Sequence, residues 1–329
     1  MKRVIVAALA AVGIAVASMT QVQAEDFTPA VVFDMGGKFD KSFNEAAFNG
    51  AERFKADTGV QYRDFEVTNP SMREQALRNM ARRGAQVVVA MGFAQAAAVE
   101  TVAQEFPETK FTLIDMVVDL PNVQSVIFKE HEGSFLVGMA AAMASETGKV
   151  GFVGGMDIPL IRKFALGYVE GAQHVNPDIE IFQNMTGTTP AAWNDPTKGG
   201  ELARSQFDRG ADVVYAAAGG TGIGVYQAAK DAGKLAIGVD SNQNYIHPGT
   251  MLTSMIKRVD VAVYESFSAA QDGTWQGGIQ VLGLAEDGVG WALDEHNRSL
   301  VSDEMEGAIE QARQDIIAGT IQVTDYMAQ

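Results

Sequence analysis

The 329-residue chain contains no cysteine. That excludes disulfides, thiolate metal sites, thiol nucleophiles and acyl attachment at an N-terminal lipobox cysteine. Basic residues are scarce, 25 Lys and Arg against 41 Asp and Glu, for a net charge of −16. A surface that acidic disfavours nucleic-acid polymers and anionic lipid, which both need basic patches. The four histidines (His131, His174, His247 and His296) are scattered, none at metal-ligand spacing, and no G-x-S-x-G elbow occurs. With 41 acidic residues, paired carboxylates arise by chance, and none identifies a proton acceptor aimed at a scissile bond. The expectation is therefore a protein without catalytic activity, cofactor or metal. No low-complexity or linker-like stretch marks a domain boundary. Beyond the first 24 residues no segment approaches 18 apolar residues without a charge, the minimum for a spanning helix.

What is present begins with a leader. Lys2 and Arg3 precede the apolar run VIVAALAAVGIAVA (4–17), and VQA (22–24) supplies a small-residue cleavage site. This reads as a secretory signal peptide, too short in its apolar part for a comfortable membrane span. Removal near Ala24 takes Lys2 and Arg3 with it and leaves a net charge of −18. The ~305 residues that follow suffice for a core that needs no disulfide.

That remainder alternates short apolar runs with helical patterns. Strands are expected at 28–35, 60–67, 85–92, 110–117, 123–128, 149–155, 179–187, 211–218, 234–240 and 251–257. Helices are expected at about 43–57, 71–83, 94–106, 131–146, 159–174, 199–208, 222–232, 259–272 and 302–318. Such alternation means βαβ units and parallel sheets, an α/β fold. An internal echo divides it. GAQVVVAMGF…KFTLID (84–115) matches GADVVYAAAGG…KLAIGVD (210–240) in order and spacing, and each ends on an aspartate. FDMGG (33–37) and GFVGG (151–155) likewise each end a strand and introduce a helix. Two similar halves result, the second beginning near residue 128.

The loop GGKFDKSFNEAAFNG (36–50) joins the C-terminal end of a strand to a helix start. In open α/β sheets ligands bind at that edge. Ser42 and Glu45 have capping-box spacing, and Phe43, Ala46, Ala47, Gly50, Ala51 and Phe54 make one helical stripe.

Taken together, FDMGGKFDKSFNEAAFNG, VGFVGGMDIPLIRKFALGYVEGA, AWNDPTKGGELA, VVYAAAGGTGIGVYQAAK, IGVDSNQNY and LTSMIKRVD resemble the basic membrane protein (BMP) family. These are solute-binding proteins of ABC transporters, and the family includes purine nucleoside receptors. The resemblance runs over about 33–265. It implies a type I periplasmic-binding-protein fold, two doubly wound parallel-sheet lobes joined by three crossings at a hinge. The lobes would comprise 25–127 plus about 257–282, and 128–256 plus about 283–329. The implied function is capture of a purine nucleoside between the lobes for import, by a monomer that presents its closed form to a membrane permease. A ligand-sensing role, another ring compound such as a free base or riboflavin, and a nucleoside hydrolase are the alternatives. The missing lipobox departs from the many lipidated members, and a free, unlipidated periplasmic protein is expected.

A nucleoside offers a flat ring and a hydroxyl-rich sugar, so aromatic faces and carboxylate or amide groups are the residues to seek. In the opening loop these are Phe39 and Phe43, with Asp40 and Asn44 for a polar edge. Phe43 reads equally as core, Asp40 as a group favouring the helix dipole, and Asn44 carries over from the family's D-K-S-F-N. Gly92 and Phe93 end one strand and Asp115 the next. Gly219, Gly220 and Thr221 open a helix in a small-residue loop. No lysine follows them as in a P-loop, which favours close approach to a neutral ring or sugar over phosphate. The family places a ribose-binding aspartate at Asp240, and Lys257 matches a family lysine that would donate to the ribose or steady Asp240. Trp193 and Tyr215 compete as the second stacking face, the partner of Phe39.

Overall fold

The structure, a computed structural model, describes residues 27–328, so the expected leader and its cleavage site lie outside the described residues. The chain opens with β1 (Ala30–Phe33), α1 (Phe43–Thr58), β2 (Arg63–Glu66), α2 (Arg73–Arg82) and β3 (Val87–Ala90). It continues through α3 (Ala96–Glu105), β4 (Lys110–Ile114) and β5 (Val123–Phe128). The inner strands β1, β3 and β4 are short and largely apolar because helices cover both faces of a parallel sheet, whereas the edge strand β2 (RDFE) is half exposed. After Phe128 the chain crosses to a second lobe. There it forms α4 (Glu130–Ala144), β6 (Lys149–Met156), α5 (Pro159–Val175), β7 (Glu180–Gly187), α6 (Pro196–Asp208) and β8 (Val213–Ala217). The lobe goes on through α7 (Gly222–Ala232), β9 (Leu235–Asp240) and β10 (Met251–Lys257). It then recrosses to place α8 (Val259–Asp272) and β11 (Gly278–Leu282) on the first lobe, and crosses a third time for β12 (Val289–Trp291) and α9 (Asp303–Ile317).

The two sheets have the orders β11-β5-β4-β3-β1-β2 and β12-β10-β9-β8-β6-β7, one order written twice. The echo in sequence is therefore an echo in space: β3–β4 and β8–β9 hold equivalent places. The copies part at one edge, where β11 runs parallel to β5 and β12 antiparallel to β10. Both edge strands escape the sequence reading. Strand β11 buries almost nothing (Ile279 is 60% exposed), and β12 has three residues, so neither shows an apolar run or a period.

Close backbone approach fixes the crossing helices. A Cβ on Gly50 of α1 would lie 2.1 Å from Asp260 O of α8, and one on Gly171 of α5 would lie 1.9 Å from Phe135 O of α4. Glycine at these points lets α8 seat on the first lobe and α4 on the second. One apolar cluster runs from Phe33 and Phe54 through Phe128 and Phe135 to Phe152 and Tyr215, so the lobes share a core at the hinge.

The expected capping box does not form. Ser42 makes no side-chain cap to α1. Asp40 does so instead: its Oδ1 accepts from the N–H of Ser42 and Glu45, and its Oδ2 from the N–H of Asn44. Lys41, in the left-handed region at φ 64°, turns the chain so that the carboxylate precedes the helix. The Ser42 hydroxyl is thereby free to reach the other lobe.

Candidate functional site

Between the lobes lies a cavity of about 640 Å³, counted with its opening to solvent. From lobe 1 it is lined by Asp34 and Met35 after β1, by Asp40, Phe43 and Asn44 at the start of α1, by Gly92 and Phe93 after β3, and by Asp115 after β4. Lobe 2 contributes Leu160, Ile161 and Phe164 of α5, Trp193, Ala217 to Gly219 from the end of β8 onward, and Val239 with Asp240 at the end of β9. Lys257 closes the wall at the second crossing. All strand-end residues come from C-terminal edges, where parallel sheets open toward a ligand.

The two echoed aspartates face this space from equivalent strands, both with left-handed backbone, Asp115 at φ 73° and Asp240 at φ 64°. An aspartate tolerates that conformation better than most side chains, at the point where the chain leaves the sheet. Their partners differ. The Lys257 ammonium lies 2.7 and 2.8 Å from the two Asp115 oxygens. Asp240 instead accepts from the Ser42 hydroxyl across the cleft. Burial pushes Asp115 up to about 6 against the pull of Lys257, with the Glu130 charge adding to the rise. Asp240 is also raised, by burial first, with Lys257 and the Ser42 hydroxyl opposing. Asp40 rises to about 7 by burial, against its three backbone N–H donors.

Lys257 is only 2% exposed. Burial draws its pKa down, but Asp115, Glu130 and Asp240 outweigh that and hold it protonated. Its ion pairs are with Asp115 and Glu130, the latter at 2.9 Å, and it acts on Asp240 through its charge alone. The rings of Phe43, Phe128 and Phe164 surround the ammonium at 5.0–5.7 Å. Asn44 donates to the carbonyls of Asp34 and Gly37 and leaves its Oδ1 without a hydrogen-bond partner. Trp193 lies over Gly155, where a Cβ would stand 2.1 Å from the ring.

Four of the expected residues do not reach the cavity wall. Phe39 is 61% exposed and packs edge-on against Phe48 of α1 at 5.1 Å, because the turn before Lys41 carries it to the outer side of the helix. Tyr215 is wholly buried, with its ring 5.5 Å from Phe152 and 5.3 Å from Tyr168 in the core behind the site. Of the small-residue loop only Gly219 lines the cavity. Gly220 sits under the Trp193 carbonyl. Thr221 accepts from the Asp195 N–H at 2.7 Å and donates to Ala192 O at 2.8 Å, which pins the Trp193 loop.

Sequence reasoning missed others. Asp34 ends β1 as Asp115 and Asp240 end theirs, and VVFD, TLID and IGVD carry that signal plainly. It is clamped by Arg73 at 3.0–3.1 Å and raised by burial against that partner. Leu160, Ile161 and Phe164 lie on an amphipathic helix, where a cavity-facing side chain has the same period as a core one.

The lobes also touch directly. Ser241 Oγ donates to Ser42 O at 3.1 Å, and Gln243 Nε2 donates to Lys41 O at 2.9 Å. Among the described residues no group of three or more His, Asp or Glu is arranged to hold a metal ion. The walls offer carboxylate acceptors at strand ends and apolar or aromatic faces between them. A neutral ring compound rich in hydroxyl and N–H donors satisfies both, whereas an anion meets four carboxylates.

Two α/β lobes, three crossings and a cavity walled by both define a solute-binding protein of the type I periplasmic fold. The chain belongs to the Bmp family, whose sequence model, described as ABC transporter substrate-binding protein PnrA-like, matches residues 27–326. It is 37% identical over 295 residues to an uncharacterized lipoprotein of Pyrococcus abyssi, covering 84% of this chain and 71% of that one. It is 33% identical over 321 residues to the ABC transporter nucleoside-binding protein BmpA of Lactococcus lactis, covering 91% and 89%. Among solved structures it resembles an ABC transporter solute-binding protein of Aeropyrum pernix, with a TM-score of 0.83, 32% identity and coverage of 90% and 92%. It is thus the substrate-binding component of an ABC transporter.

These relatives correct one expectation. The leader and the missing cysteine suggested a free periplasmic protein without lipid. The Pyrococcus abyssi relative and counterparts in two further Pyrococcus species are named lipoproteins, against that expectation. The absent cysteine excludes one attachment chemistry and does not establish a free protein.

Proposed function

We propose that this protein binds a purine nucleoside in the interlobe cavity and delivers it, as a monomer and without turnover, to an inner-membrane permease. The observation that carries the reading is the opposed pair Asp115 and Asp240, at equivalent strand ends on either side of a cavity walled by Phe43, Phe93, Phe164 and Trp193. A carboxylate in that position accepts from vicinal ribose hydroxyls, and the partly apolar walls suit a base. Asp240, already holding Ser42, is assigned the sugar, and the orphan Oδ1 of Asn44 with Asp34 the base edge. The name of the Lactococcus lactis relative supports the same class. Lobe 1 is taken as 25–127 plus about 257–282, lobe 2 as 128–256 plus about 283–329. A ligand that touches both favours the closed arrangement, which then accumulates.

The test is a thermal-shift screen against nucleosides, free bases, flavins, sugars and amino acids. A ligand at 100 times its Kd adds about 2.7 kcal/mol and raises Tm by several degrees. Purine nucleosides are expected to shift it, with ribose and amino acids inert. A shift by another class alone would overturn the ligand while leaving the family intact.

A further inference from the structure

Glu130 opens α4 just past the first crossing, is 1% exposed, and forms no part of the cavity wall. Its two oxygens serve two ammonium groups: Oε1 lies 2.9 Å from Lys257 Nζ and Oε2 3.1 Å from Lys163 Nζ. Lys163, on α5 and 5% exposed, also donates to Phe128 O at 2.7 Å and reaches Asp325 near the C-terminus at 3.5 Å. Lys257 is the last residue of β10, at the second crossing. A chain of alternating charges thus runs from Asp115 on the cavity wall, past the first two crossings, to the C-terminal segment.

Ion pairs buried this deeply add little net stability, because desolvation offsets their attraction and apolar replacements are often as stable. What such a pair supplies is position. Lysine is a point charge on a flexible stem. With Asp115 as sole partner, the ammonium would follow that carboxylate into lobe 1. Glu130 pulls from the hinge side. Lys163 keeps Glu130 in place and ionised: burial works against ionisation, but the two lysines outweigh it.

We propose that Glu130 is a positioning residue for solute binding, its carboxylate, backed by Lys163, holding the Lys257 ammonium at the cavity wall across the hinge. This rests on the nucleoside reading only for the choice of ligand. It is tested with Glu130→Gln, which keeps the shape and removes the charge, by two measurements. One is the nitrogen-15 spectrum of the lysine ammonium groups without ligand, the Lys257 signal being assigned by its loss in Lys257→Arg. The other is calorimetric titration with guanosine. The variant should shift or broaden the Lys257 signal and weaken guanosine binding by roughly tenfold, the scale on which an orienting partner acts. Glu130→Asp, which keeps the charge but retracts it by one methylene, should change both in the same direction by less, and stands in if Glu130→Gln does not fold.

Unchanged affinity overturns the proposal, and so does weaker binding with an unmoved Lys257 signal. If the wild-type protein binds no nucleoside, the ligand reading fails, and the ammonium spectrum alone decides: an unmoved signal removes the positioning role.

Discussion

Lobe 1 and lobe 2 trace the same strand order and end equivalent strands on equivalent aspartates, yet they bring different chemistry to the cavity. Lobe 1 supplies Asp34, Asp40, Asn44 and Asp115, most of the polar wall. Lobe 2 supplies Leu160, Ile161, Phe164, Trp193 and Val239, most of the apolar wall, with Asp240 as its single carboxylate. The echoed aspartates diverge too, since Asp115 has both oxygens beside a lysine while Asp240 is held by one hydroxyl from the opposite lobe. A repeated scaffold has thus been fitted with an asymmetric lining. The shared topology fixes where side chains emerge, and the identity of each side chain decides what the site holds.

The sharpest test of that asymmetry exchanges the two aspartates for asparagine. On the proposed ribose role of Asp240, Asp240→Asn should cost about 2–4 kcal/mol of solute affinity. Asp115→Asn should cost clearly less, because Lys257 already occupies Asp115. Equal losses by calorimetry would break the comparison. Next comes the apolar wall. Gly155→Ala sets a Cβ against the Trp193 ring and should weaken binding by about 1–3 kcal/mol through displacement of that ring. A variant that binds normally would show that the ring's place over Gly155 does not matter.

The helix cap of lobe 1 gives a pH signature. Asp40, raised to about 7 in the folded protein from 3.8, retains its proton after the unfolded chain has lost it. Its contribution to stability is full below pH 3.8 and is lost as pH rises through about 7. Asp40→Asn keeps a capping side chain and should flatten this fall, so Tm measured from pH 4 to 8 should decline less than in the wild type. A variant with an unchanged profile would assign the fall to other groups. The smallest effects are expected at Phe39 and Tyr215. Phe39→Ala and Tyr215→Phe should each change affinity by less than about 0.5 kcal/mol, since neither touches the cavity. A tenfold loss for either would return it to the site.

Much of this was legible in the residues. Apolar runs and helical stripes place ten strands and nine helices close to their observed bounds, because buried parallel strands read as continuous apolar runs and amphipathic helices carry a strong period. The echo of 84–115 in 210–240 anticipates the repeated sheet order, and aspartates at strand ends point to the cleft. Other features carry no local signal. The exposed strand β11 has its place set by β5, a partner far along the chain. Ser42 and Glu45 have the spacing of a cap, but Asp40 competes for the same N–H groups and takes them.

By itself, then, the sequence determined most of the elements, the family and the edge at which the cavity opens, since these follow from period, spacing and chain order. Only the tertiary structure decided which aromatic residues line that cavity and which sit behind or outside it. Phe39, Phe43, Trp193 and Tyr215 are equally suited to stack on a ring, and a turn at Lys41 or the facing direction on a strand separates them. It also decided that Lys257 forms its ion pairs with Asp115 and Glu130 and acts on Asp240 through its charge, without contact. Partners 127 to 142 residues apart meet only when both lobes are folded and their crossings brought side by side.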